Sequence, residues 1–241
     1  MSNELVFFAV IIINLAVLLL AWRLGRAWLE LFIVVNYMIN SFVIGKLFEV
    51  FGLNATLSAV TYSTIFIGTD ILTEHHGKKA GYRVVWMGFF AAVFLVWMEQ
   101  VALYLDGPAS TAAVHGAMHI LFATSASYFT VSLITYLIAQ RFDIWLFHWL
   151  HLRTHGRFLW LRNNISTFVS QAVSGIVFGT CAYLLEIFPR EEVIEVMLVA
   201  YLMNVIFAAL DTPAIYLSYW VRQGNDGTAP LRADENRLSR R

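Results

Sequence analysis

Charge is what this sequence has least of. Only 13% of its 241 residues are Asp, Glu, Lys or Arg, against about 25% in an ordinary soluble domain. The sixteen acidic and sixteen basic residues cancel. No field of one sign is left to draw in a polyanion, so composition excludes a nucleic-acid partner. Cysteine occurs once, as Cys181 within an apolar run, which rules out an intrachain disulfide scaffold. No repeat of 20–50 residues is evident. What the chain has in excess is apolar side chains, 59% of all residues. A soluble fold of this length has no interior large enough to hide them. The expectation is an integral membrane protein.

A helix crosses the hydrocarbon core with about 20 mostly apolar residues. Seven stretches qualify: 5–22, 29–51, 55–74, 84–105, 117–139, 165–187 and 194–221. They are too long and too continuously apolar for barrel strands. The expected fold is therefore an all-α polytopic membrane protein, a bundle of seven transmembrane helices. Residues 1–221 form one bundle, and 222–241, with alternating charges, Gly and Pro, form a flexible cytoplasmic tail. The first run has no basic segment before it and is followed by Arg23 and Arg26 rather than a cleavage site. It is expected to stay as an anchor. The third span is the shortest and most polar, with Ser58, Thr61, Ser63, Thr64, Thr69, Asp70 and Thr73. Its neighbours should shield it from lipid.

Basic residues set the orientation of short loops. Arg23, Arg26, Lys78, Lys79, Arg83, Arg141, Arg153, Arg157, Arg162 and the five arginines of the tail all fall on one face of a seven-span arrangement. Only Lys46 and Arg190 fall on the other. The N-terminus is expected outside, the C-terminus in the cytoplasm, in the plasma (inner) membrane. Residues 140–164 form the one long internal connection, with Trp145, Trp149 and Trp160 suited to an interface. It either lies along the cytoplasmic surface or extends span five.

Ionisable groups inside a bilayer are costly, so each needs a partner or a function. Two clusters emerge. On the outer side, Lys46 and Glu49, three apart on span two, share a depth with Glu99 and Gln100 of span four. They read equally as a buried ion pair or a ligand contact. On the inner side lie Asp70, Glu74, Gln171 and Asp211. Asp70, Glu74 and Lys78 share one helical face, yet two acids at a helix C-terminus oppose the macrodipole. Lys78, Arg157, Arg162 or a ligand rich in N–H groups must compensate. Pro213 should break span seven beside Asp211, and broken helices with polar side chains build transporter sites.

The seven histidines include pairs at helical spacing, His115 with His119 and His151 with His155. They admit a metal centre, but the topology divides them between the two faces, so no metal and no cofactor is assigned. Ser170, Ser174, Gly175 and Gly179 form a small-residue stripe. It serves either packing within the chain or a homodimer.

Several segments resemble the queuosine precursor transporter family, also called the vitamin uptake transporter family. They are Lys46-Leu47-Phe48-Glu49-Val50-Phe51-Gly52, Thr69-Asp70-Ile71-Leu72-Thr73-Glu74 with Gly77-Lys78-Lys79 and Gly88-Phe89, and Asp143-Ile144-Trp145-Leu146-Phe147-His148. The last continues to Leu159-Trp160-Leu161-Arg162-Asn163-Asn164, Ser166-Thr167 and Ser170-Gln171, and is followed by Leu210-Asp211-Thr212-Pro213 with Tyr216. The resemblance implies a six-helix core plus an extra N-terminal helix. It also implies import of 7-cyano- or 7-aminomethyl-7-deazaguanine, a small deazapurine-like solute, and no enzymatic activity. A carboxylate from Asp70 or Glu74 would accept the guanine-like edge, Gln171 would add a polar contact, and Asp211 would shape the site. The sequence departs from the family pattern at Ser174 and Gly175, where Asp and Thr are usual, at Asn204, where Lys is usual, and at His76, where an aromatic is usual. A transporter of a related purine or vitamin, and a His-dependent membrane metalloenzyme, are the alternatives.

Overall fold

The computed structural model describes residues 2–43, 47–50, 53–122, 126–185 and 193–221. The described residues form α1 (Asn3–Leu24), α2 (Arg26–Val43), β1 (Leu47–Val50), β2 (Leu53–Thr56), α3 (Ser58–His76) and α4 (Lys78–Tyr104). A short 3-10 turn at Ala109–Thr111 leads into α5 (Ala112–Phe122), α6 (Ala126–Arg153), α7 (Leu159–Leu184) and α8 (Val193–Trp220). Apart from one small hairpin the described protein is all helical.

The polar α3 is the axis of the molecule. Every residue from Ser58 to Thr73 except Tyr62 is buried, and the helix packs on α1, α2, α4, α6, α7 and α8. The expected shielding is therefore present. Around it Leu18, Trp22, Leu29, Ile33, Ile71, Val84, Tyr136, Phe147 and Ile215 form the main apolar core. A second cluster joins Phe7 and Ile11 of α1 to Val50 of the hairpin and Val60 of α3. The outward surface is apolar, with Phe90 at 73% and Leu198 at 57% exposure, whereas Asp70, Asp143, Gln140 and Arg162 are at 0%. Polarity is inverted relative to a soluble protein. The helices α1, α4 and α7 are each long and apolar enough to cross a membrane.

Tight turns bring the helix ends together. Gly25, at φ +132°, separates α1 from α2, and Gly77, at φ +79°, separates α3 from α4. Both values are open to glycine and strained for other residues. Trp22 Nε1 donates to the carbonyls of Ser218 (2.9 Å) and Val221 (3.2 Å), fixing the end of α1 against the end of α8.

Several expectations about the ends and breaks of the spans are corrected. The second span does not run to residue 51: α2 stops at Val43, and β1 and β2 pair antiparallel with Leu47 opposite Thr56 and Val50 opposite Leu53. An apolar run does not by itself separate strand from helix, and Gly52 and Asn54 are poor helix formers. Glu49 therefore sits exposed on a strand, not on a helical face with Lys46, which lies outside the described residues. The stretch 140–164 takes the second of its two expected forms, extending span five: α6 continues to Arg153, and α7 begins at Leu159. The residues expected in the fifth span fall in α5 and α6, with 123–125 outside the described residues. Finally, α8 passes through Pro213 without a break. The ring is exposed, and Thr212 Oγ1 donates to the Ala208 carbonyl (3.1 Å) beside the missing bond. Residues 222–241, expected as a tail, lie outside the described residues.

Candidate functional site

The polar side chains that α3 carries meet those of α6, α7 and α8 at two levels. At the end of the bundle, Glu74 is held by a bidentate contact from Arg162, Nη1 to Oε2 at 2.6 Å and Nη2 to Oε1 at 3.0 Å. Parallel N–H donors on a planar fork make this the strongest kind of ion pair. His151 Nδ1 of α6 lies 3.3 Å from Oε2, and the Tyr219 hydroxyl of α8 donates to Oε1. Arg162 also packs its guanidinium over Phe147, 5.2 Å from the ring centre. Four helices are thus tied through one carboxylate. Of the two helix-terminal acids, Glu74 finds a cation, and it is Arg162. That residue was expected on the cytoplasmic loop face, but it is completely buried, three residues into α7.

About one turn deeper, the pairing is incomplete. Asp70 is completely buried and neither of its carboxyl oxygens has a hydrogen-bond donor among the described residues. Its carboxyl interacts directly with that of Asp143 on α6. Asp143 Oδ1 accepts from Ser170 Oγ of α7 at 3.0 Å, while Oδ2 has no donor. Thr69 Oγ1 donates to Gln140 Oε1 at 3.1 Å, leaving Gln140 Nε2 buried and unpartnered. Thr73 Oγ1 and Arg162 Nε are likewise buried without partners. Buried polar atoms are nearly always bonded. These unmatched groups, gathered between three helices, make this the candidate site. Tyr62, which faces Ser174 and acts on Asp143, adds an aromatic side chain to the same region.

The sequence-predicted residues divide as follows. Asp70 is at the centre of the unmatched group, and Glu74 is beside it but fully engaged. Gln171 is buried, and its Oε1 accepts from Asn204 Nδ2 at 3.0 Å. Asp211 lies within α8, its side chain outside the description. Glu99 is buried, with Oε2 unpartnered. It sits 21 residues along α4 from Lys78, about 30 Å at 1.5 Å per residue, and so is not brought to the Asp70 group. The structure adds Asp143 and Gln140. Their signal is the spacing Tyr136, Gln140, Asp143, Phe147, one helical face continuing through the stretch read as a connection.

Apolar outside, with unpaired acids and amides held inside a helical bundle, is the arrangement of a membrane transporter. The chain belongs to the vitamin uptake transporter family: the family described as "Putative vitamin uptake transporter" matches residues 56–218, the stretch from the start of α3 almost to the end of α8. Among curated proteins it is similar to the "Probable queuosine precursor transporter" of Bacillus subtilis (strain 168). The two are 30% identical over 214 residues, which cover 88% of this chain and 91% of the relative. No solved structure matches it.

Proposed function

We propose that this protein imports 7-deazaguanine precursors of queuosine across the plasma membrane, with Asp70 and Asp143 as the centre of the solute site. The observation that carries this reading is the Asp70 carboxyl, buried with both oxygens lacking a donor. A guanine-like edge offers two parallel N–H groups, which a carboxylate accepts as a pair. The unpartnered Nε2 of Gln140 supplies a donor for the solute's carbonyl. Tyr62 supplies an aromatic face of the kind on which bases stack. Glu74, paired with Arg162, ties the helices at one end and is not the first contact.

Where the family pattern has Asp and Lys, this chain has Ser174 and Asn204. The Asn204–Gln171 hydrogen bond supports the reading that a neutral link between α7 and α8 replaces a charged one, so no charge is stranded. The small-residue stripe favours packing within the chain over a homodimer. Ser170 is bonded to Asp143, and a Cβ at Gly179 would run into Met197 of α8. The reading keeps seven membrane crossings, the cytoplasmic tail and the N-terminus outside.

The test is restoration of queuosine in tRNA in a bacterial strain lacking both precursor synthesis and its own importer. The wild-type chain is expected to restore it. Asp70→Asn, at equal abundance in the membrane, is expected to lower restoration at least tenfold, the effect of about 1.4 kcal/mol of lost binding. Undiminished restoration by Asp70→Asn removes this acid from the site. Failure of the wild-type chain shifts the substrate to a related purine or vitamin.

A further inference from the structure

Two ionised carboxylates are both acceptors, so no hydrogen bond forms between them unless one keeps a proton. Asp70 and Asp143 are completely buried and interact side chain to side chain. Neither oxygen of Asp70 nor Oδ2 of Asp143 has a hydrogen-bond partner among the described residues, although the Ser166 hydroxyl also lies beside Asp143. The charged and titratable groups that bear on the pair are Glu74 and Tyr62 of α3 and Arg162 of α7. Arg162 acts on Asp70 through space but donates no hydrogen bond to the pair, because both its terminal nitrogens are on Glu74. Like charges in contact in a water-poor site do not both ionise. The missing donor is then supplied by a single proton held between the two acids.

We propose that the Asp70–Asp143 pair carries one exchangeable proton that crosses the membrane together with the solute, so that transport is proton symport. The proposal rests on the reading of this pair as the solute site. With one proton on the pair, the ionised carboxylate accepts the two N–H groups of a guanine-like edge. The protonated acid donates to the solute's carbonyl. No covalent bond between heavy atoms changes. The proton enters from outer water before the solute binds and leaves to inner water after its release. Two bare carboxylates bind this edge less well for want of the donor, which ties solute binding to proton loading.

The experiment uses the full chain in liposomes, with labelled 7-cyano-7-deazaguanine as probe and a pH-sensitive dye in the lumen. With acid outside, the probe is expected to accumulate and the lumen to acidify in step, one proton for each solute. Accumulation indifferent to the pH gradient overturns the proposal. Asp143→Asn replaces the exchangeable proton by an amide. It is expected to abolish pH-driven accumulation and solute-dependent acidification and to leave any residual counterflow independent of pH. Acidification that persists in this variant also overturns the proposal.

Infrared spectroscopy of the solute-free protein provides the second measurement. The carbonyl stretch of a protonated carboxyl, shifted by D2O, is expected in the wild type and in Glu99→Gln, and is expected to be lost in Asp70→Asn and Asp143→Asn. A band that is absent, or that follows Glu99 alone, overturns the shared proton. A band that behaves as expected while the liposomes ignore the probe supports the shared proton and refutes the solute.

Discussion

Arg162 is a full positive charge with no exposed surface, and it is tolerated because Glu74 meets it fork to fork. Breaking a buried pair by removing one partner costs about 3–5 kcal/mol, whereas removing both is often neutral. Glu74→Gln is therefore expected to lower the thermal stability of the detergent-purified protein sharply. Glu74→Gln with Arg162→Met is expected to recover most of the loss. A single variant no less stable than the double one would show that the pair does not hold the helices together. The conflict between two acids and a helix C-terminus was legible in the sequence, and Arg162 was among three possible partners. The choice was not legible, because 88 residues separate it from Glu74 and only packing brings them together. Asp143 was hidden for another reason. Lying among Arg141, Phe142 and Trp145, it looked like part of an interfacial stretch. Its burial comes from one face of a helix whose other face carries the exposed Trp145 and Trp149.

At the level of elements, run length located most helices but not their ends. Helices α1, α4, α7 and α8 lie close to their expected ranges, since long apolar runs leave little alternative in lipid. The hairpin was not legible, because there the apolar character continues while the backbone geometry changes. Glycine offers a sharper test of how α7 meets α8. A side chain at Gly179 would collide with Met197, while nothing lies within 4 Å of a Cβ at Gly175. Overpacking a close contact costs about 1–3 kcal/mol. Gly179→Leu is expected to reduce the folded yield in the membrane severalfold, and Gly175→Leu to leave it unchanged, as measured by fluorescence-detected size exclusion. A shift of Gly175→Leu to a smaller assembly would instead make this stripe a seam between two copies.

For the whole molecule, the contacts decide which helix ends lie together. Trp22 reaches Ser218 and Val221, His75 Nε2 lies 2.9 Å from Ser218 Oγ, Arg162 grips Glu74, and Arg83 Nη2 lies 3.4 Å from Glu30. The ends of α1, α3, α6 and α8 and the starts of α2, α4 and α7 thus form one end of the bundle. Arg23, Arg26, Lys78, Lys79, Arg83, Arg153 and Arg157 are on or beside those ends. These seven belong to the face inferred from charge, whereas Arg141 of that set lies within α6, Arg162 is buried, and the tail arginines lie outside the described residues. Lysine and arginine resist translocation, which is the ground for proposing that this end faces the cytoplasm. A fluorescent protein fused after Val221 is expected to glow. Alkaline phosphatase fused after Leu105, just past the far end of α4, is expected to be active, and the same enzyme fused after Gly77 inactive. The reverse pattern would invert the bundle and place the Glu74–Arg162 tie at the outer mouth. Solute arriving from outside would then meet that tie before reaching Asp70. With the proposed orientation it would reach Asp70 first, and the tie would be the last contact to open before release.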